Sequence, residues 1–223
     1  MAGSAEPLIP SGRAPDPRKV RTIARLRCAA MELLGAEGRT GVTVSELVKH
    51  ARVSRAAFYL HYDDVESVLD DALGAELRDI SKAAEGAHSP GFAMDPAAPA
   101  QNILAFFRHV DRNVRLYRWV FSENGSARIQ ANLLKGFIEI AAEGAEHYPK
   151  RRGASDLRVA RTAAFFGGAI FGVLHEWLHS ANPGDPDDVA GWLWRRFVDF
   201  DRIANAEVPE PARTGADASV RWR

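Results

Sequence analysis

The 223-residue chain has one cysteine, Cys28, and no excess of charge of either sign, since 29 Lys and Arg stand against 29 Asp and Glu. A lone cysteine excludes an intrachain disulfide and gives no sign of an oxidising compartment. Cys28 falls in an apolar-periodic stretch and reads as a small packing residue. No apolar run approaches the ~20 residues that cross a bilayer, and the N-terminus lacks a signal-peptide core. These absences predict a soluble, cytoplasmic protein with no membrane partner.

The balance of charge conceals an asymmetry. Between Arg13 and Tyr62 there are ten Lys and Arg against four Asp and Glu, whereas from Asp63 onward nineteen face twenty-four. A basic module on a mildly acidic body suits phosphate contact by one end of the molecule.

Within that basic stretch, TVSELVKHARVSRAAFYLHY from Thr43 to Tyr62 holds two short apolar-periodic runs, each opened by a hydroxyl residue. Thr43 with Glu46 three positions on forms a capping box, so a helix should begin at Val44 with Leu47, Val48 and Ala51 inward. After Arg52 and Val53, Ser54 caps a second helix whose inward residues are Ala57, Phe58 and Tyr62. Arg55, Ala56, Tyr59, Leu60 and His61 then form a small, polar, cationic outward surface, as a recognition helix requires. This spacing predicts a helix-turn-helix. Upstream, Asp16 and Pro17 open a helix with Ile23, Leu26, Ala30, Leu33 and Leu34 as its stripe, stopped by Gly38.

The order CAAMELLGAEG, TVSELVKHARVS, RAAFYLHY and DDVESVLDDAL resembles the TetR/AcrR family of transcriptional regulators over roughly residues 18 to 73. The resemblance implies an all-α fold: an N-terminal three-helix helix-turn-helix module followed by a larger helical ligand-binding and dimerisation domain. Double-stranded operator DNA, a small-molecule ligand and a second copy of the chain are the implied partners, and repression released by the ligand is the implied function. No catalytic residue and no cofactor are implied. Arg18, Lys19 and Arg21 become phosphate contacts, together with Thr43, Lys49, Tyr59 and His61. Arg55, with the Ala56 and Ala57 methyl groups, becomes the base reader; Ser54 and Leu60 complete the DNA-binding set. Two departures stand out. Val65 replaces a phosphate-reaching lysine, and Ala56 with Ala57 replace a glycine and a threonine.

The expected boundaries are a disordered tail at 1–15, the DNA-binding domain at 16–64, the helical domain at 65–206 and a second disordered tail at 207–223. Periodicity places helices from Asp63 toward Glu85, then at residues 99–114, 116–121, 127–148, from Ser155 to about 180, and at 186–206, with a hinge loop over 86–99. Aromatic residues crowd this region. An aromatic-lined cavity is expected from Phe106, Phe107, Val110, Tyr117, Phe121, Phe137 and Phe166, with His109 or Asn113 as polar anchor. Gly167, Gly168 and Gly172 cost about 1 kcal/mol each in a helix interior, which suggests close approach of another helix. The last two helices look like half of a four-helix bundle. The family pairs them between subunits, so Gly168, Phe171, Gly172, His175, Trp192, Arg196 and Phe197 are candidates for the dimer interface.

His175, Glu176 and His179 spell HEWLH, which matches the H-E-x-x-H pattern of zinc hydrolases. A third ligand has no obvious source beyond Asp185, Asp187 and Asp188, and Trp177 with Leu178 reads better as the apolar end of a dimer helix. No metal site is assigned. A zinc hydrolase and a helical interaction protein without DNA binding remain the alternatives.

Overall fold

The computed structural model describes residues 16–37, 41–85, 101–146 and 156–205, and every regular element among them is a helix. In chain order they are α1 (Pro17–Glu37), α2 (Val44–Ala51), α3 (Arg55–Tyr59), α4 (Val65–Glu85), α5 (Gln101–Arg112), α6 (Val114–Val120), α7 (Ala127–Glu146), α8 (Asp156–His179) and α9 (Pro186–Asn205). The expected tails, the 86–99 hinge, Gly38 and the expected helix start at Ser155 lie outside the described residues.

Local chemistry accounts for the ends of the short helices. Thr43 caps α2 through both halves of the predicted box: its hydroxyl accepts from the Glu46 amide at 3.2 Å and its amide donates to the Glu46 carboxylate at 2.9 Å. The helix stops because Arg52 turns left-handed, at φ 54°. Ser54 then accepts from the Ala57 amide at 3.1 Å and starts α3.

Two cores result. Leu26, Ala30, Leu47, Val48, Ala51, Phe58, Tyr62 and Val68 bury the contacts among α1, α2, α3 and the start of α4. The second core gathers Leu69, Leu73 and Leu77 of α4 with the inward faces of the later helices. Helix α4 serves both. Val65, standing where the resemblance has a lysine, packs against both cores and presents no charge to a phosphate.

In the second region α8 runs along α7, α9 lies against α5, and α4 sits among α1, α5 and α7. Helices α8 and α9 meet through aromatic side chains. Phe165 stacks on Phe200 at 4.2 Å between ring centroids, and Phe166 meets Phe197 edge-on at 4.5 Å. Rings of this size hold the two backbones apart. Of the three glycines, Gly167 alone has the close approach: a Cβ there would lie 2.8 Å from the Ile138 amide nitrogen on α7. A Cβ at Gly168 or Gly172 would meet nothing within 4 Å. Trp177 and Leu178 are core residues of their own chain, with Trp177 against Phe107 at 5.6 Å. No helix among the described residues is long and apolar enough to cross a membrane.

Candidate nucleic-acid interface

The first region carries exposed cations on each of its first three helices or the turn between them. Arg18, Lys19 and Arg21 are exposed on the opening turns of α1, where Asp16 accepts from the Arg18 amide at 2.9 Å. Thr43, Lys49, Arg52, Ser54, Arg55 and Ala56 are exposed across α2, the turn and α3. Tyr59 and Leu60 follow, 54% and 77% exposed. Phe58, wholly buried, anchors α3 from behind, with Tyr59 edge-on to it at 5.1 Å. Two members of the expected set are less available. Ala57 is half-buried because α3 turns it toward the core, and His61 is half-buried at the start of the link to α4.

A polar cluster that local sequence reasoning missed holds this face in position. Asp71 of α4 receives the Arg27 guanidinium of α1 through two bonds of 2.7 Å, and the Tyr62 hydroxyl donates to the same carboxylate. Partial burial pushes the Asp71 carboxyl upward, but the bonds from Arg27 and Tyr62 outweigh it and hold the group below its ordinary pKa. Burial, then the bond to Asp71, pushes the Tyr62 phenol upward, so Tyr62 stays protonated and donates. The preceding residue reaches the other way: Asp70 accepts from Asn132 of α7 at 2.6 Å. Arg128 reaches Asp64 and Glu66 at 3.3 Å each, and Ser126 donates to Glu66. Neighbouring carboxylates on α4 therefore grip opposite halves of the molecule. The contacts span 44 and about 60 residues of sequence, and only the run of acids at Asp63, Asp64, Asp70 and Asp71 hinted at them.

Cys28 corrects an expectation. It is exposed, since Ala29 and Ala30 take the packing positions, and its thiol donates to Glu32 at 3.2 Å. Glu32 in turn pairs with His50 of α2 at 2.6 Å.

The aromatic residues expected to line a cavity are brought together, but they fill the space. Phe106, Phe107, Val110, Tyr117, Phe121 and Phe137 are core residues; Phe106 is edge-on to Phe137 at 5.0 Å and to Tyr117 at 6.3 Å. Phe166 packs on α9, and Asn113 donates its side-chain amide to the His109 carbonyl at 2.9 Å. His109 is buried, with Nε2 unpartnered and Nδ1 3.6 Å from Glu76. Burial, then the nearby Arg112 charge, lowers its pKa to about 4, so it is neutral. A solvent-open groove of about 540 Å³ lies elsewhere, between α4 and α7, bordered by Asp70, Asp71, Gly74, Arg78, Lys135 and Gly136. None of the residues expected to line the cavity borders it.

Of the expected interface residues, Gly172, His175, Trp192 and Arg196 are exposed and Gly168 and Phe171 half-buried. Arg196 lies 6.0 Å from the Trp192 ring centroid. Phe197 is corrected: it is 4% exposed and belongs to its own core, under Phe166. In the HEWLH segment, the His175 and His179 rings stack at 4.4 Å, and His179 Nδ1 donates to the His175 carbonyl at 2.7 Å. Among the described residues no three His, Cys, Asp or Glu side chains are grouped to hold a metal ion.

Residues 26–72 match the model of the bacterial regulatory proteins, tetR family. No curated protein matches the chain. Among solved structures, a protein from Syntrophomonas wolfei assigned to the TetR family of transcriptional regulators is 15% identical, with 86% of this chain and 100% of that chain covered at TM-score 0.61. FadR from Thermus thermophilus, a TetR-family transcriptional repressor in complex with lauroyl-CoA, is 21% identical over 87% of this chain and 100% of that one, at TM-score 0.55. RolR in complex with resorcinol is 17% identical over 86% and 97%, also at TM-score 0.55. These likenesses show a shared fold.

Proposed function

From a chain that carries a tetR-family N-terminal domain on the fold of that family's regulators, we propose a homodimeric transcriptional repressor that binds operator DNA and is released by a small molecule. The observation that carries this reading is the capped helix-turn-helix, which turns Arg55, Ala56 and Tyr59 outward on the basic module. Arg18, Lys19, Arg21, Lys49 and Tyr59 supply phosphate contact, which fixes register; Arg55 contacts base edges, which fixes sequence. A twofold dimer suits two recognition helices on successive major grooves. Exposed Phe165 and Gly172 of α8 and exposed Trp192 of α9 are the candidate surface for the second copy, where Gly168 and Gly172 leave room for a facing helix.

Support for a ligand comes from the structural neighbours that hold lauroyl-CoA and resorcinol, and from polar atoms stranded in the aromatic core. His109 Nε2, Trp119 Nε1 and Trp177 Nε1 are buried without a partner. Each such group costs about 1–3 kcal/mol, so a molecule that offered hydrogen bonds while displacing a ring would recover part of that cost. Such a ligand acts only through its preference for one of two conformations. Asp70 and Asp71 provide the connection, since a shift of α7 moves α4 and with it the Arg27 and Tyr62 contacts.

Binding to random and selected duplex at two salt concentrations tests the reading. Affinity should fall steeply with salt. Tyr59→Phe should weaken both duplexes alike, whereas Arg55→Ala should erase the difference between them; equal losses from Arg55→Ala would remove it as base reader. Salt-independent or absent binding would leave a helical interaction protein.

A further inference from the structure

The outward surface of α3 has two columns. Arg55 and Tyr59, one turn apart, make the polar one. Ala56 and Leu60 make the other: the Leu60 amide donates to the Ala56 carbonyl at 3.3 Å, which fixes the one-turn offset, and both side chains are exposed. Leu60 is the most exposed large hydrophobic residue among those described, ahead of Tyr59. Lys49, Arg52 and Arg55 are exposed cations of the same helix-turn-helix. An apolar protein partner would have to strip water from those charges, whereas a polyanion would meet them directly.

We propose that Leu60, beside Ala56, reads the C5-methyl group of a thymine in the major groove. This rests on the DNA-binding reading above and adds a base preference to it. In the major groove the base edges of G, A and C offer donors and acceptors, while thymine alone also offers an apolar group. Leu60 set against a donor or acceptor would leave that group without water or partner. Against the methyl it completes an apolar contact. Discrimination therefore has two sources, burial of the methyl and the penalty on the other bases, and the operator half-site carries a thymine one column away from the base that Arg55 contacts.

The test begins with a duplex selected by the wild-type protein from a random library. Each thymine is then replaced by deoxyuridine, which removes the methyl and nothing else. At one position per half-site the wild-type affinity should fall about fourfold, the effect of returning one methyl-sized apolar group to water, and the other replacements should do nothing. Leu60→Ala should bind the thymine and uracil duplexes equally, with unchanged thermal stability because the side chain is solvent-exposed. Two results would overturn the assignment: indifference of the wild type to every uracil, or a uracil penalty of the same size in Leu60→Ala. A library that yields no preferred duplex would sink the DNA-binding reading itself, and this inference with it.

Discussion

The two cores are built differently although one helix serves both. The N-terminal core is small and mostly aliphatic: Phe58 and Tyr62 are the only buried rings in it among the described residues, and Ala29, Ala30 and Ala51 let α1, α2 and α3 sit close. The second core is ring-rich, with Phe106, Phe107, Tyr117, Phe121, Phe137, Trp177, Trp194 and Phe197 buried together. A short helix cannot persist on its own hydrogen bonds, so α2 and α3 depend on caps and on one large anchor. Long helices in the second region depend instead on which rings interlock. The first arrangement depends on partners a few residues away; the second depends on contacts between residues far apart in the chain.

Removing the anchor should break the comparison most visibly. Phe58→Ala should cost about 3–5 kcal/mol, and the loss should fall on the first region. The four tryptophans among the described residues, Trp119, Trp177, Trp192 and Trp194, all belong to the second region, so in a Trp222→Phe background tryptophan fluorescence follows that region alone. In a urea titration, helical circular dichroism should fall well before tryptophan fluorescence shifts. If both transitions move together by the same amount, α4 fuses the two cores into one cooperative unit and the distinction has no thermodynamic meaning.

A second pair of variants probes the helical packing beyond α4. Gly167→Ala should destabilise by about 2 kcal/mol, because its Cβ meets the backbone of Ile138, which cannot rotate away. Gly168→Ala, one residue on, meets nothing in its own chain and should stabilise the monomer by up to about 1 kcal/mol through helix propensity. Thermal melts of both variants at several concentrations would sharpen the reading: a Gly168→Ala loss that grows on concentration places the partner copy there. The sequence showed three glycines but not which had a neighbour. That depends on the rotation of α8 against α7, set by contacts far along the chain. The caps at Thr43 and Ser54 were legible because their partners stand three residues away. The Arg27, Tyr62 and Asp71 cluster was not, since Arg27 and Asp71 are 44 positions apart. Composition likewise announced the aromatic crowd around Phe106 and Phe137 without saying that the rings would close on each other.

The smallest expected effect concerns His109, the one charged or polar residue among the buried described side chains. It faces Glu76 of α4 at 3.6 Å, Arg112 on its own helix and the Tyr117 ring of α6 at 5.7 Å. Burial lowers its pKa from 6.5 to about 4 in the folded chain. Between those values the unfolded chain binds the extra proton, so stability falls as pH falls through that window and is regained as pH rises. At pH 5.5 the loss should be about 1 kcal/mol, part of it offset by attraction to Glu76. His109→Phe keeps a ring in the core and cannot titrate, so the wild type should lose more Tm than the variant between pH 7 and 5.5. Equal losses would mean that the ring carries its proton in the fold, paired with Glu76; the second core would then hold a buried ion pair, and its contrast with the uncharged first core would be electrostatic as well as aromatic.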